Sequence, residues 1–264
     1  MKKTKSALVM SGGGALGAFH IGAYKVLFEK YDFEFFAGVS AGAIVSGLMA
    51  IGKSADEMAD ILNNTRLFSL AFDPSRKGFA LIKGVKIKKL LDKMYEGFCF
   101  EDLEKPLYIG VTDFKTGERV IINKGKIADA VRASISVPYI FEPYYYQGRY
   151  LVDGGLTQNF PLDIVMEKYK GDSIIGIDLA GSFPVDIDFS KLEYGRLKGL
   201  RRVMERSFRI MFRAQQSHFP EDERVRILRP DLRKYNTFDI FRLEDIRQKG
   251  ENDAMEFLAN LGKK

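Results

Sequence analysis

Two histidines and one cysteine are all that the 264 residues offer to the commonest catalytic and metal-binding chemistries. The lone cysteine, Cys99, excludes an intramolecular disulfide and points to a reducing compartment. No stretch approaches the ~18 consecutive apolar residues of a membrane-spanning helix. Met1-Lys2-Lys3-Thr4-Lys5 is basic like the start of a secretion signal. The apolar run behind it, Ala7-Leu8-Val9-Met10, is too short for such a signal, and glycines follow. A soluble, cytoplasmic protein is expected. Internal repeats, low-complexity tracts and linkers are also missing, so the expectation is one domain over 1–264, with the motifs in about 6–180 and a helical extension behind them.

What is present is a normal globular share of apolar residues, 46%, and a mildly basic balance of +6. The apolar run Phe33 to Val39 leads into Gly38-Val39-Ser40-Ala41-Gly42, and the small, helix-favouring run Ala43 to Ala50 leads out. In that strand–turn–helix context G-x-S-x-G reads as a nucleophile elbow, a strained turn that exposes the serine hydroxyl. Gly38 and Gly42 remove side chains where strand and helix nearly touch.

An earlier strand, Ser6 to Met10, is followed by Ser11-Gly12-Gly13-Gly14-Ala15-Leu16-Gly17 and a helical pattern through Lys30. A glycine loop at a helix start points backbone N–H groups outward, where they meet a phosphate or an oxyanion. Gly12, Gly14 and Gly17 also satisfy G-x-G-x-x-G, with Asp32 or Glu34 near the ribose-binding offset, so a nucleotide-binding module is a rival reading. Against it, the second strand runs past its acidic residues to the elbow. The strand Arg149 to Val152 ends on Asp153-Gly154-Gly155, either an exposed carboxylate with a free approach path or an Asp capping a turn.

Serine needs a base, and that base is usually histidine. His20 falls inside the first helix, and His218 follows a later helix with no motif around it. A two-residue arrangement remains, in which Asp153 takes the proton of Ser40 directly and the N–H groups of Gly12, Gly13 and Gly14 hold the oxyanion.

Ser11-Gly12-Gly13-Gly14, Gly38 to Gly42, Ala133-Ser134-Ile135-Ser136-Val137-Pro138 with Phe141 and Pro143, and Asp153-Gly154-Gly155 together resemble the four blocks of patatin-like phospholipases, in the family's order. The resemblance implies a three-layer α/β/α fold with a mostly parallel central sheet. It also implies a lipid acyl hydrolase with Ser40 as nucleophile, Asp153 as base and the glycine loop as oxyanion hole, acting on lipid or phospholipid esters without metal or cofactor. One position departs from the pattern: Leu16 stands where the family usually has Arg or Lys. The block from Ser134 to Pro143 carries no evident catalytic group and reads as support for the loop under Asp153.

Further along, the pattern predicts a helix from Ser54 to Thr65, with Ser54 and Glu57 as a capping box. Phe68, Leu70, Phe72 and Phe79 read as core or lid. Tyr194 to Gln216 reads as an Arg-rich amphipathic helix with Val203, Phe208, Ile210, Met211 and Phe212 on its apolar side, either docked on its own domain or lying at a membrane interface, and Leu243 to Leu261 as a terminal helix interrupted near Gly250. The net charge, the Arg-rich helix and Tyr144-Tyr145-Tyr146 suggest peripheral association with an anionic membrane surface rather than with nucleic acid.

Overall fold

A computed structural model describes residues 2–63, 73–75, 80–180, 196–215 and 221–262. Phe68, Leu70, Phe72, Phe79 and His218 lie outside the described residues, as does the stretch from Phe183 to Leu192.

Strand β1 (Thr4–Met10) passes through a single 3-10 turn, Gly14–Gly17, into helix α1 (Ala18–Lys30). Strand β2 (Tyr31–Val39) then turns at Ser40 into α2 (Ala41–Ala50). Next come α3 (Ala55–Asn63), β3 (Ala80–Ile82) and α4 (Val85–Met94), then the hairpin β4 (Leu107–Asp113) and β5 (Arg119–Ile122). Helix α5 (Ile127–Ser134) precedes three short strands, β6 (Tyr139–Phe141), β7 (Tyr144–Tyr146) and β8 (Arg149–Asp153). The chain continues as α6 (Leu162–Lys168), β9 (Ile174–Ile177), α7 (Arg196–Gln215), β10 (Val225–Leu228) and α8 (Leu243–Leu261).

The main sheet has eight strands in the order β10-β9-β1-β2-β4-β8-β7, with β5 also paired to β4. From β10 to β4 all pairs are parallel; β5, β8 and β7 join antiparallel. Successive residues of a strand face opposite sides, and β1 sorts its apolar residues accordingly. Leu8 and Met10 enter the larger core with α1, α2, α5 and α8, whereas Ala7 and Val9 pack with α6 on the other face. The result is an α/β/α sandwich with a mostly parallel centre.

Ser54 and Glu57 form the predicted capping box, the Glu57 carboxylate accepting from Ser54 N at 2.8 Å and Ser54 Oγ accepting from Glu57 N at 3.2 Å. Gly250 does not interrupt the last helix: α8 is continuous, and Gly250 is where it crosses α1. A Cβ on Gly250 would strike Phe19 O, and one on Gly22 of α1 would strike Arg247 O. The two glycines let the helix backbones touch, so this glycine marks a packing contact rather than a break. Among the described residues no helix is long and apolar enough to cross a membrane.

Candidate active site

Parallel strands deliver their C-terminal ends to one rim of a sheet, and ligands bind there. Here that rim carries the loop after β1 and the elbow after β2. Ser40 has φ 53° and ψ −120°, a conformation that costs a non-glycine residue of order 1–3 kcal/mol. The strain is held from outside. Ser40 N donates to Ser134 Oγ at 2.8 Å, and Ser134 Oγ donates on to Gly110 O at 2.7 Å. A Cβ on Gly42 would strike Met10 O, and one on Gly38 would strike Gly42 O, so both elbow glycines are required by close approach.

Asp153 ends β8 and is buried. Its backbone is fixed on both sides: Asp153 N donates to Ser136 O at 3.0 Å, and Asp153 O accepts from Thr112 Oγ1 at 3.0 Å. Its Oδ1 accepts from Gly155 N at 2.8 Å, so the residue does cap the following turn. Burial raises its pKa from 3.8 to about 6, while the Gly155 N–H and the nearby Ser40 side chain pull it back down. The turn-cap reading of Asp153-Gly154-Gly155 is met, and the carboxylate expected to be exposed is instead buried, reaching open space only where it lines a cavity.

The glycine loop is anchored before it reaches the elbow. Gly12 N donates to Asn159 O at 3.2 Å and Gly12 O accepts from Asn159 Nδ2 at 3.3 Å. A Cβ on Gly12 would lie 2.9 Å from Ser40 Cβ, which is how near the loop comes to Ser40. With Gly12 N already engaged, the donors left facing the cavity are those of Gly13 and Gly14, the latter at φ 59°. Leu16 is fully buried in the core, where an Arg or Lys would be desolvated without a partner.

His20 is completely buried with Nε2 2.8 Å from Ser11 O. Only a protonated nitrogen meets a carbonyl, so Nε2 carries the proton and Nδ1 is bare. Burial pushes the ring pKa from 6.5 down to about 4. His20 thus pins the root of the glycine loop as a neutral ring.

Ser40, Asp153, Gly13 and Gly14 share the wall of a cavity of about 540 Å³. The rest of the lining is overwhelmingly apolar, including Ile44, Leu48, Met58, Phe141, Phe208 and Phe212. Helix α7 closes over this space. Gln215 at its end accepts from Asn159 N at 2.7 Å and donates to Gly155 O and Leu156 O at 3.0 and 3.2 Å. Among the described residues no three His, Cys, Asp or Glu side chains cluster as a metal site would require.

Four supports escaped sequence reasoning: Ser134, Thr112, Asn159 and Gln215. Ser134 sits in a block that resembles the family's third motif, so a signal existed without a role attached. The other three lie far from their partners along the chain, and nothing in local spacing marks them.

A mostly parallel α/β/α sheet with a serine elbow and a buried aspartate at one rim defines the class. Residues 8–166 match the family model for patatin-like phospholipase, and the chain belongs to that family. It is 34% identical over 181 residues to an uncharacterized NTE family protein of Mycobacterium tuberculosis, covering 67% of this chain and 30% of that protein. It is 30% identical over 205 residues to the YqhO protein of Bacillus subtilis, covering 65% of this chain and 70% of that one. The chain thus spans under a third of the mycobacterial relative's length. Among solved structures it superposes on VipD of Legionella pneumophila with a TM-score of 0.63 at 15% identity, over 98% of this chain and 67% of that one. With ExoU, in its complex with SpcU from Pseudomonas aeruginosa, the TM-score is 0.51 at 18% identity, over 98% and 51% of the two chains. At such identities the likeness is one of fold.

Proposed function

We propose that this chain is a serine hydrolase of carboxylic esters of lipids, working through a Ser40–Asp153 dyad and an acyl-enzyme. The observation that carries the reading is that the strained Ser40 and a buried Asp153, whose pKa stands near 6, share the wall of one apolar cavity, near enough for the serine side chain to act on the carboxylate. A carboxylate of that basicity is mostly ionised at pH 7, yet binds a proton more readily than an ordinary aspartate.

As Ser40 Oγ attacks the ester carbonyl, its proton passes to Asp153. The carbonyl oxygen becomes an oxyanion facing Gly13 N and Gly14 N, with the N-terminal end of the α2 dipole behind Ser40. Asp153 then returns the proton to the leaving alkoxide, and the acyl group remains on Ser40. Water enters by the same route: Asp153 removes its proton, and collapse of the second tetrahedral intermediate frees the acid and restores the serine. An apolar cavity suits a fatty-acyl chain, whose burial stabilises binding by about 0.8 kcal/mol per methylene.

The rival reading, a non-catalytic nucleotide- or lipid-binding module on Gly12–Gly17, finds less support. The first N–H of the loop is engaged by Asn159, and the space beside the loop is apolar rather than a phosphate cradle. A fluorophosphonate probe separates the two. Ser40 of the hydrolase is labelled, and Ser40→Ala and Asp153→Asn each lose ester hydrolysis while staying folded; a chain that is never labelled, or one that retains its activity in either variant, overturns the dyad.

A further inference from the structure

Helix α7 is amphipathic in an inverted sense. Its inward face, Phe208 and Phe212, lines the cavity. Its outward face would ordinarily be charged. Instead the exposed residues Val203, Ser207, Ile210 and Ala214, spaced by four, three and four along the helix, form one uncharged stripe. Val203 and Ile210 are 64% and 55% exposed. The Ser207 hydroxyl is turned back onto Val203 O at 2.9 Å, so this residue too presents little polarity. Arg206 and Arg213 flank the stripe.

A second exposed apolar element stands beside it. Phe241 is 96% exposed, Ile240 is exposed next to it, and both also line the cavity. The segment leading to them is tied to α7: Thr237 N donates to Glu205 Oε1 at 3.3 Å, and Arg209 Nη2 donates to Tyr235 O at 3.3 Å. Arg242 follows Phe241 and is exposed. The outer face of the helix that covers the cavity and the segment tied to that helix at the cavity mouth each offer large apolar side chains to solvent, with arginines beside them. Such a patch marks an interaction surface.

We propose that these two elements, the Val203–Ile210 stripe of α7 and the pair Ile240 and Phe241, form the face by which the chain lies on an anionic lipid bilayer. The apolar side chains enter the boundary between headgroups and acyl chains, and Arg206, Arg213 and Arg242 meet lipid phosphates. Charge complementarity favours lipid over a neutral partner, and the place of Ile240 and Phe241 in the cavity wall favours it over a remote protein contact. Tyr145, the exposed tyrosine of β7, does not line the cavity. The direction of the inference rests on the lipid-ester reading, because it treats the cavity as the route for substrate; docking itself requires no catalysis.

The chain contains no tryptophan, so single tryptophans report insertion site by site. In a Ser40→Ala background, Phe241→Trp and Ile210→Trp are mixed with vesicles of phosphatidylcholine containing phosphatidylserine, with and without brominated acyl chains. Phe28→Trp, near the α1 end that leads away from the site, and Tyr145→Trp on β7 are the controls. The expected result is a blue shift and bromine quenching at positions 241 and 210 but not at 28 or 145. Phe241→Glu and Ile210→Glu are each expected to lower the floating fraction on the order of tenfold. Emission unchanged at position 241, insertion at position 145 instead, or a dimer that dissociates on Ile210→Glu each overturns the proposal. These readouts are independent of hydrolysis, so failure of the dyad leaves them interpretable.

Discussion

Val39 and Asp153 meet end to end along one edge of β4. Val39 of β2 is paired with Gly110, and Asp153 of β8 is paired with Val111, the next residue. Strand β5 occupies residues 109–112 of β4 as well, so β2 and β8 share the opposite edge. One strand approaches in parallel and ends; the other approaches antiparallel and ends; the nucleophile and the carboxylate follow from the two ends. Gly154 is the residue that permits this, since a Cβ there would strike Gly110 O. Gly154→Ala has no flexible neighbour to displace. It is expected to shift Asp153 and reduce ester turnover by ~100-fold or more, as misplacement of a catalytic group by about an ångström does. Steady-state kinetics, with circular dichroism to show a retained fold, measures this.

The second prediction concerns pH. If Asp153 acts as base, activity needs its carboxylate, and kcat/KM on a soluble ester should rise with pH through an apparent pKa of about 6 and then level off. A rate governed by an ordinary carboxylate would already be level at pH 5. A profile between pH 4.5 and 8 at constant ionic strength distinguishes them.

Stability should carry two opposed pH dependences. The folded pKa of Asp153 is raised, so the folded state binds its proton more tightly than the unfolded one. Stability is lost as pH rises from about 4 to about 6, by about 2–3 kcal/mol. The folded pKa of His20 is depressed, so the unfolded state binds the proton more tightly. Stability is lost as pH falls from 6.5 to about 4, by a similar amount of about 3 kcal/mol. In the wild-type chain the two offset across this window. Asp153→Asn should be the more stable protein at pH 7 and should weaken on acidification. His20→Gln, which keeps a donor for Ser11 O, should strengthen on acidification. Urea midpoints at pH 4, 5, 6 and 7 give the two slopes, and equal slopes in both variants would contradict this account.

Much of this site was legible in the linear chain, and the reason is local. Gly38 to Gly42 and the Gly12–Gly14 loop each sit at a strand end, where a turn needing small residues leaves a pattern a few residues long. Asp153-Gly154-Gly155 has the same property. The period-two sorting of Leu8 and Met10 from Ala7 and Val9 made the sheet readable too. What stayed hidden is what depends on distant residues. Ser134 reaches the elbow across 94 positions, and Gln215 reaches the turn after Asp153 across 60. Gly250 misled for a related reason: a glycine needed by a neighbouring helix looks, in sequence, like a helix break. Val203 and Ile210 were counted with the apolar side of their helix, and only the structure separates them from Phe208 and Phe212.

Ser134 holds the strained nucleophile with one hydroxyl, accepting from Ser40 N and donating to Gly110 O. Ser134→Ala leaves a buried donor and a buried acceptor without partners, which costs about 1–3 kcal/mol for each group left bare. Part of that cost is relieved if Ser40 relaxes from its positive φ, and relaxation moves Oγ away from Asp153. The variant should therefore lose turnover more than affinity, with slower fluorophosphonate labelling of Ser40 alongside a lower melting temperature. A loss of stability with an unchanged labelling rate would assign Ser134 to the core alone.

Among the described residues Arg132 is the largest fully buried side chain, and none of their carboxylates is hydrogen-bonded to it. Its guanidinium donates to Gly84 O at 3.1 Å, Lys83 O at 3.0 Å and Ser136 Oγ at 2.6 Å, and it lies over the rings of Phe141 and Tyr144. Burial lowers its pKa to about 10, so it stays charged at neutral pH. Through Ser136, whose carbonyl accepts from Asp153 N, the guanidinium braces the strand that carries the base against the start of α4. Arg132→Lys keeps the charge but cannot reproduce a planar fork reaching three acceptors. Arg132→Met removes the buried charge but takes a donor from all three acceptors, Gly84 O keeping Lys88 N and Ser136 Oγ keeping its bond to the carbonyl of residue 132. Both variants should be destabilised, by about 2–5 kcal/mol. A purely structural brace would leave the pH–rate profile of the folded fraction unchanged. If Arg132 positions Asp153, the apparent pKa near 6 shifts in both variants, because the burial and hydrogen bonds that set it depend on where Ser136 holds the strand.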